Sequence, residues 1–257
     1  MTVFVLKIIA MTTMLIDHIA FWFVDNNIAM RNIGRLAFFI YAFLIAESYY
    51  HLQYKPKKLL HHLIKLIALC LITEPLFDFF DHIAWNDPSS QSVMPTLTFG
   101  FAALIGIGYW SKTFGEGRRL TAVGSCIICL IAALASFFLK SDYAFSGVLL
   151  IVLFYYYLTK TDKMVLPQKV GALLAIEAVF IITDIWRRTD FGNWQAFKSM
   201  ADLLSMWKYG MAIVIIPLVF YNRKLVYHSR WFSWLYSIFY PLQFAVLLIL
   251  RYYIKGF

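Results

Sequence analysis

Two residues in the first apolar stretch have the types and the spacing that chemistry inside a membrane would need. Lys7 and His18 stand eleven positions apart in the run VFVLKIIAMTTMLIDHIAFWFV. At about 100° per residue this is close to three helical turns, so both side chains point the same way, roughly 16 Å apart along the axis. Ionisable groups in a spanning helix face a protein interior or a wet cavity by default. The pair therefore indicates a functional stripe. The alternative is a Lys7 that snorkels to the interface and a His18 that is only hydrogen-bonded.

The composition indicates an integral membrane protein. The chain of 257 residues is 61% hydrophobic and only 14% charged, whereas about a quarter of a soluble domain is charged. Its apolar runs are too long for the alternating strands of a barrel, and helices are the other way to satisfy backbone polar groups in lipid. We therefore expect an all-α polytopic protein, a bundle of about nine transmembrane helices.

Runs of about twenty apolar residues place the spans and their orientation. The nine predicted spans are Val3–Val24, Ile33–Tyr50, Leu59–Phe80, Met94–Trp110, Leu120–Leu139, Tyr143–Thr159, Val170–Trp186, Met206–Tyr221 and Phe232–Tyr253. Lys and Arg concentrate in the loops after the even-numbered spans, which predicts a cytoplasmic amino terminus. The basic segment 187–205 fits this rule poorly, and its aromatic residues suggest an interfacial or re-entrant segment.

Charge and cysteine content exclude other classes. The net charge of +9 is explained by basic cytoplasmic loops, so we expect no nucleic-acid partner. No His, Asp or Glu cluster has ligand spacing, so no metal site is predicted. Cys126 and Cys129 lie inside an apolar helix and are interpreted as packing residues.

Other charges at membrane depth need partners. Asp17 neighbours His18 but points about 100° away from it, so it is not expected to orient the ring. Arg35, at the start of the second span, is the better partner for Asp17, since pairing would neutralise two costly charges. A simple tie between two helices is an equally good interpretation. Glu74 precedes Pro75, a proline that is expected to break the third helix and to suit a cavity wall.

Five blocks of the sequence resemble, in order, those of the TraX family, whose best-known members are the F-pilin N-acetylating proteins of conjugative plasmids. The blocks are KIIAMTTMLIDHIAF, IGRLAFFIYAFLIAESYYH, LITEPLFDFF, DYAFSGVLLIVLFYYY and YSIFYPLQFAVLLI. The family is similar to the wider transmembrane acyltransferases, many of which carry a basic residue and a histidine separated by ten residues. Lys7 and His18 match that spacing. The sequence departs from the family at Gln243, where relatives typically show histidine, and at Phe39, where proline is usual. The loop FYNRKLV also lacks the glycines often found there. These differences put any role of the last helix in doubt and suggest an acceptor other than F pilin.

The resemblance implies a single transmembrane acyltransferase-like domain over 1–257 that uses acetyl-CoA as donor. It implies His18 as the catalytic residue, with Asp17 and Arg35 beside it. Histidine suits a base because its ordinary pKa lies near neutrality. The phosphates of acetyl-CoA are expected to meet basic side chains at the cytoplasmic surface. These candidates are Lys7, Lys57, Lys58, Arg118 and Arg119.

The acceptor and the location follow as expectations. The acetyl group would pass to a protein amine or a glycan hydroxyl at the outer side of a bacterial inner membrane, by direct transfer or through an acetylated His18. The competing hypotheses are a transporter or flippase of a surface-polymer precursor, which buried charges would also serve, and a non-catalytic assembly factor for surface fibres. No internal repeat or matching pair of broken spans favours the transporter.

Overall fold

The computed structural model describes residues 1–24, 27–85, 91–115, 117–188, 213–223 and 229–255, and these are almost entirely helical. The helices are α1 (Val3–Phe23), α2 (Ile28–Leu52), α3 (Pro56–Trp85), α4 (Val93–Phe114), α5 (Arg119–Phe138), α6 (Ala144–Lys160), α7 (Leu166–Arg188) and α8 (Arg230–Lys255). Residues 213–219 are also helical. Within this part of the chain the only strand-like pairing is an isolated bridge between Gln91 and Ser141.

Seven of these helices are long and apolar enough to cross a membrane, which confirms an all-α polytopic membrane protein. They correspond to the first six predicted spans and the last. Helix α7 covers the predicted seventh span but is not among the seven. The predicted eighth span is described only from residue 213 onward, and the basic segment 187–205 lies outside the described residues beyond 188. The count of nine and the cytoplasmic amino terminus stay predictions.

The chain forms two compact units. The first unit comprises Met1–Tyr41 and Met164–Phe257, and the second comprises Ala42–Lys163. Helix α2 contributes its first part to one and its last part to the other. A single domain over 1–257 stays a prediction.

The second unit is built around α4, which packs against α3, α5 and α6. Glycines let these helices approach closely, as is common inside membranes. A Cβ atom on Gly108 would lie 1.8 Å from the Tyr49 hydroxyl, and one on Gly124 would lie 2.0 Å from Nε1 of Trp110. Phe43 and Phe154, both fully buried, meet edge to face with ring centroids 5.5 Å apart. This unit is therefore held by close packing of small and aromatic side chains.

Glu74 has a different role from the one expected of it. Helix α3 continues through Pro75, so the prediction that this proline breaks the helix is wrong. In lipid, a proline that frees backbone groups can be tolerated where neighbouring groups satisfy them again. The Glu74 carboxylate accepts hydrogen bonds from the backbone N–H of Ser92 (3.1 Å) and from its hydroxyl (2.6 Å). Ser92 caps the start of α4, so a negative charge lies at the positive end of that helix.

In the first unit, α1 and α8 lie side by side and run in the same direction. Phe4 meets Phe232 near the start of both helices, with ring centroids 4.6 Å apart. Trp22 meets Arg251 near their ends, with the guanidinium 4.4 Å from the ring centroid. Parallel first and last helices that both cross a membrane require an odd number of crossings in total. Seven and nine crossings satisfy this condition, and eight do not.

Helices α1 and α2 approach most closely at Gly34. A Cβ atom added to Gly34 would lie 2.2 Å from the Cβ atom of Asp17. Because that atom is attached directly to the α1 backbone, it cannot rotate away. Only glycine therefore fits at this crossing.

We expect Gly34→Ala to lower the thermal unfolding temperature in detergent, since overpacking of this kind typically costs about 1–3 kcal/mol. The matched control is Gly171→Ala in α7, where an added Cβ meets nothing within 4 Å. The control should be neutral or slightly stabilising, because alanine favours the helix more than glycine does. Equal unfolding temperatures for the two variants would contradict the close approach at Gly34.

Candidate active site

His18 lies in the last third of α1 with its ring against α8. The ring centroid is 4.7 Å from that of Phe244 and 6.3 Å from that of Tyr240. The side-chain amide of Gln243 also interacts with the His18 ring. The residue is half-buried and its Nδ1 atom is buried. The imidazole is therefore enclosed on the α8 side by two aromatic rings and one amide.

Lys7, near the start of α1, also faces α8. Its ammonium lies 4.5 Å from the centroid of the Tyr236 ring, within the range of a cation–π interaction. Tyr236 in turn stacks on Tyr41 of α2, with centroids 5.8 Å apart. An aromatic pair thus supports the positive charge.

The partners of Lys7 and His18 belong to one face of α8. Tyr236, Tyr240 and Phe244 recur every four residues and so form a single line along the helix, which we call the aromatic stripe. Since Lys7 contacts one end of the aromatic stripe and His18 the other, the prediction that the two side chains share a face of α1 is confirmed. Their roles in binding and catalysis stay predictions.

Asp17 is held by Arg31 of α2. Nη1 of Arg31 lies 2.9 Å from Oδ2 of Asp17, and each side chain is only 16% exposed. Sequence reasoning had chosen Arg35, which stands one turn further along α2. The charges of Asp17, Arg31 and Arg35 all act on the His18 ring, so the structure does place Arg35 at the candidate site. A pairing of Asp17 with Arg35 stays a prediction.

The structure adds three residues that sequence reasoning missed. Arg31 was detectable, since it shares a helical face with Arg35 at a spacing of four residues. Gln243 is a polar residue in an otherwise aromatic and apolar run and is only 4% exposed, a pattern that indicates a buried polar contact. Arg251 carried no local pattern, because its position over Trp22 depends on the pairing of α1 with α8.

The other predicted donor-binding residues lie in the second unit and are exposed. Lys57 and Lys58 are in the first turn of α3, and Arg118 and Arg119 begin α5. The adjoining helix ends meet at Gln53. Its carbonyl accepts a hydrogen bond from Lys112 near the end of α4, and its side chain accepts one from Tyr155 near the end of α6. The four basic residues therefore share one end of the second unit. Their action together with Lys7 stays a prediction.

Two further acidic residues of the first unit lie buried on α7. Asp184 is paired with Arg187 at 2.9 Å on the same helix. Glu177 is 1% exposed, and neither of its carboxylate oxygens has a hydrogen-bond partner among the described residues. Within those residues no group of three His, Cys, Asp or Glu side chains could hold a metal ion.

Comparison with known protein families decides the relationship of this chain. A family model described as TraX protein matches residues 3–251, nearly the whole sequence. The chain belongs to the TraX family. No curated protein and no solved structure matches it significantly.

Two departures from the TraX pattern acquire structural roles in this chain. Phe39 packs edge-on against Phe180 of α7, with ring centroids 4.8 Å apart. It therefore helps to join α2 to α7. Gln243 lies against His18, so the last helix supplies a polar group to the candidate site even though histidine is absent there.

We expect Asp17→Asn to destabilise the protein by about 1–3 kcal/mol, between the values for exposed and for buried ion pairs, because Arg31 would keep an uncompensated charge. The double variant Asp17→Asn/Arg31→Leu should lose less than the sum of the two single variants. Unfolding temperatures of the four proteins in one detergent give this comparison. Strict additivity would show that the two side chains do not interact.

Proposed function

We propose that this TraX-family protein transfers an acetyl group from acetyl-CoA to an acceptor, with His18 as the catalytic residue. The observation that carries the proposal is the common face of Lys7 and His18 along the aromatic stripe. A binding charge and a base are thereby separated by roughly 16 Å, a distance of the order of the pantetheine arm of CoA. Membership of the TraX family supports the same chemistry.

Donor binding would use the two ends of this face differently. The Lys7 ammonium is suited to a phosphate, since it is a compact positive charge. The aromatic stripe offers an apolar wall to the arm between phosphate and thioester. Lys57, Lys58, Arg118 and Arg119 would contribute further positive charge from the second unit.

His18 would act through a ring nitrogen. In direct transfer, the ring accepts the proton of the acceptor's N–H or O–H as the acceptor attacks the thioester carbonyl. The C–S bond then breaks, and the departing thiolate takes that proton from the imidazolium. In a relay, the ring nitrogen attacks first, an acetyl-imidazole forms, CoA leaves as the thiol, and the acceptor then displaces the imidazole. Asp17 and Arg35 would set the local field around the ring, and Arg31 would hold Asp17 in place.

The proposed setting is a bacterial inner membrane, with acetyl-CoA entering from the cytoplasm. The acceptor would be a protein amine, as in pilin, or a cell-surface glycan hydroxyl at the outer side. The chain's apolar helices would keep this chemistry away from bulk water, which limits hydrolysis of the thioester.

We expect His18→Ala to lower acetyl transfer by about 10²–10⁴-fold, the usual contribution of a general acid–base residue. The assay follows radiolabel from acetyl-CoA into membranes of cells that lack the protein. Thr12→Ala, on the exposed side of the same helix, is the matched control and should keep full activity. Comparable elution of both variants in size-exclusion chromatography shows that folding is intact. Undiminished transfer by His18→Ala would remove the assignment.

We expect Lys7→Gln to raise the KM for acetyl-CoA about tenfold or more, because a charge-assisted contact to phosphate would be lost. Since the acetyl group is remote from Lys7, kcat should change less. Lys7→Arg should restore most of the affinity. A fall in kcat at unchanged KM would contradict a role in donor binding.

The same assay separates this proposal from a transporter or an assembly factor. An enzyme releases free CoA in proportion to the acetyl groups transferred, and a thiol reagent measures that release. A transporter or a non-catalytic factor leaves acetyl-CoA intact under the same conditions.

A further inference from the structure

Arg251 of α8 has an unusual environment beyond His18. Its guanidinium carbon lies 4.4 Å from the centroid of the Trp22 ring, and Trp22 is only 1% exposed. The Nε atom of Arg251 is buried and has no hydrogen-bond partner among the described residues. The guanidinium is thus held flat by an indole while part of its donor capacity is unused.

This guanidinium lies next to the candidate active site. Trp22 is one helical turn beyond His18 on α1, and Arg251 is two turns beyond Phe244 on α8. Because α1 and α8 are parallel, Arg251 lies roughly one turn from the His18 ring, on the side away from Lys7. The local charges therefore include Arg251 as well as Asp17, Arg31 and Arg35.

The charges around His18 are unequal in number. Asp17 is the one acidic side chain whose charge acts on the ring, and its described partner is Arg31. Arg35 and Arg251 add two positive charges in the same region. Excess charge of one sign at membrane depth is costly unless a ligand of opposite sign binds there. Arginine forks match phosphate and carboxylate groups, and stacking on an aromatic ring fixes the fork in advance.

We propose that Arg251, with Arg35, binds an anionic group of the acetyl acceptor, a phosphate or a carboxylate, beside the amine or hydroxyl that is acetylated. The inference rests on the proposed function, because it gives the substrate class of the same site. Lys7 would hold the donor at one end of the aromatic stripe, and the arginines would hold the acceptor at the other. The chemistry of the acceptor would thus be an anionic polymer, lipid or peptide segment.

The central experiment measures the KM for acceptor in Arg251→Gln, with membranes from cells lacking the protein as the acceptor source. We expect this KM to rise about tenfold to a hundredfold, the range for one lost hydrogen bond to a charged group, while the KM for acetyl-CoA stays unchanged. Arg251→Lys should lie between the two, since it keeps the charge but loses the fork. It also serves if Arg251→Gln does not fold. Lys163→Gln, exposed in the second unit, is the control for loss of a positive charge and should match the wild type.

A phospholipid headgroup could supply the same anion, and a second arm separates the two sources. Arg251→Gln is compared with the wild type in phosphatidylcholine nanodiscs and in phosphate-free dodecylmaltoside. Acceptor binding predicts the same rise in acceptor KM in both media. A loss of stability confined to the nanodiscs, with acceptor KM unchanged, would assign Arg251 to the headgroup and overturn the proposal. The labelled product should also bind an anion-exchange resin at neutral pH, and a neutral or cationic product would overturn it as well.

A last measurement distinguishes failure of this inference from failure of the proposed function. Calorimetric titration with inorganic pyrophosphate and with succinate needs no acetyl donor. If the wild type transfers no acetyl group but binds either anion, and Arg251→Gln does not, the anion site stands while the acetyltransferase proposal fails. If transfer occurs and depends on His18 while neither anion binds and the KM for acceptor is unaltered, only the anion site fails.

Discussion

The ion pair between Asp17 and Arg31 is the constraint on which the candidate site depends. Both groups belong to helices that are apolar enough to span a membrane, and an isolated charge there would be costly. Pairing them fixes the register of α2 against α1, and Gly34 permits the close approach that the pair requires. Since His18 is the next residue after Asp17, the same contact fixes the height and rotation of the imidazole. The position of a neutral ring is thus set by a charged neighbour that points elsewhere.

The aromatic stripe of α8 gives one helix face two different functions. An aromatic ring attracts a cation through its π face and also packs against an apolar or imidazole surface. Tyr236 can therefore support Lys7, while Tyr240 and Phe244 enclose His18 two turns further along. An aliphatic face would have sealed the histidine equally well but would have left the ammonium without a favourable partner. The Gln243 amide adds a polar contact at the point where the ring needs one.

Periodicity predicted the helices and the common face of Lys7 and His18, because both depend on local geometry along one segment. The predicted first span ended one residue from the end of α1. The ion partner of Asp17 was predicted one turn away from Arg31, since two arginines on the same helical face are equivalent until the height of the neighbouring helix is known. Pro75 was expected to end α3, but the local preference of proline did not prevail over the packing of a long helix. The contacts of Gln243 and Arg251 were not predictable, because they depend on α8 lying beside α1, and these helices are far apart in the sequence.

The parallel pairing of α1 with α8 has a consequence for biogenesis. The ribosome delivers α1 to the translocon early, whereas the rings that cover Lys7 and His18 emerge only when the final helix is made. Asp17 finds Arg31 almost at once, in the very next helix, so its charge is neutralised during insertion. The half of the groove contributed by α8 is instead completed last. A chain that stalls before residue 230 would carry a polar surface toward the lipid, which is a feature that membrane quality-control proteases could recognise, and it would have no assembled site with which to consume acetyl-CoA prematurely.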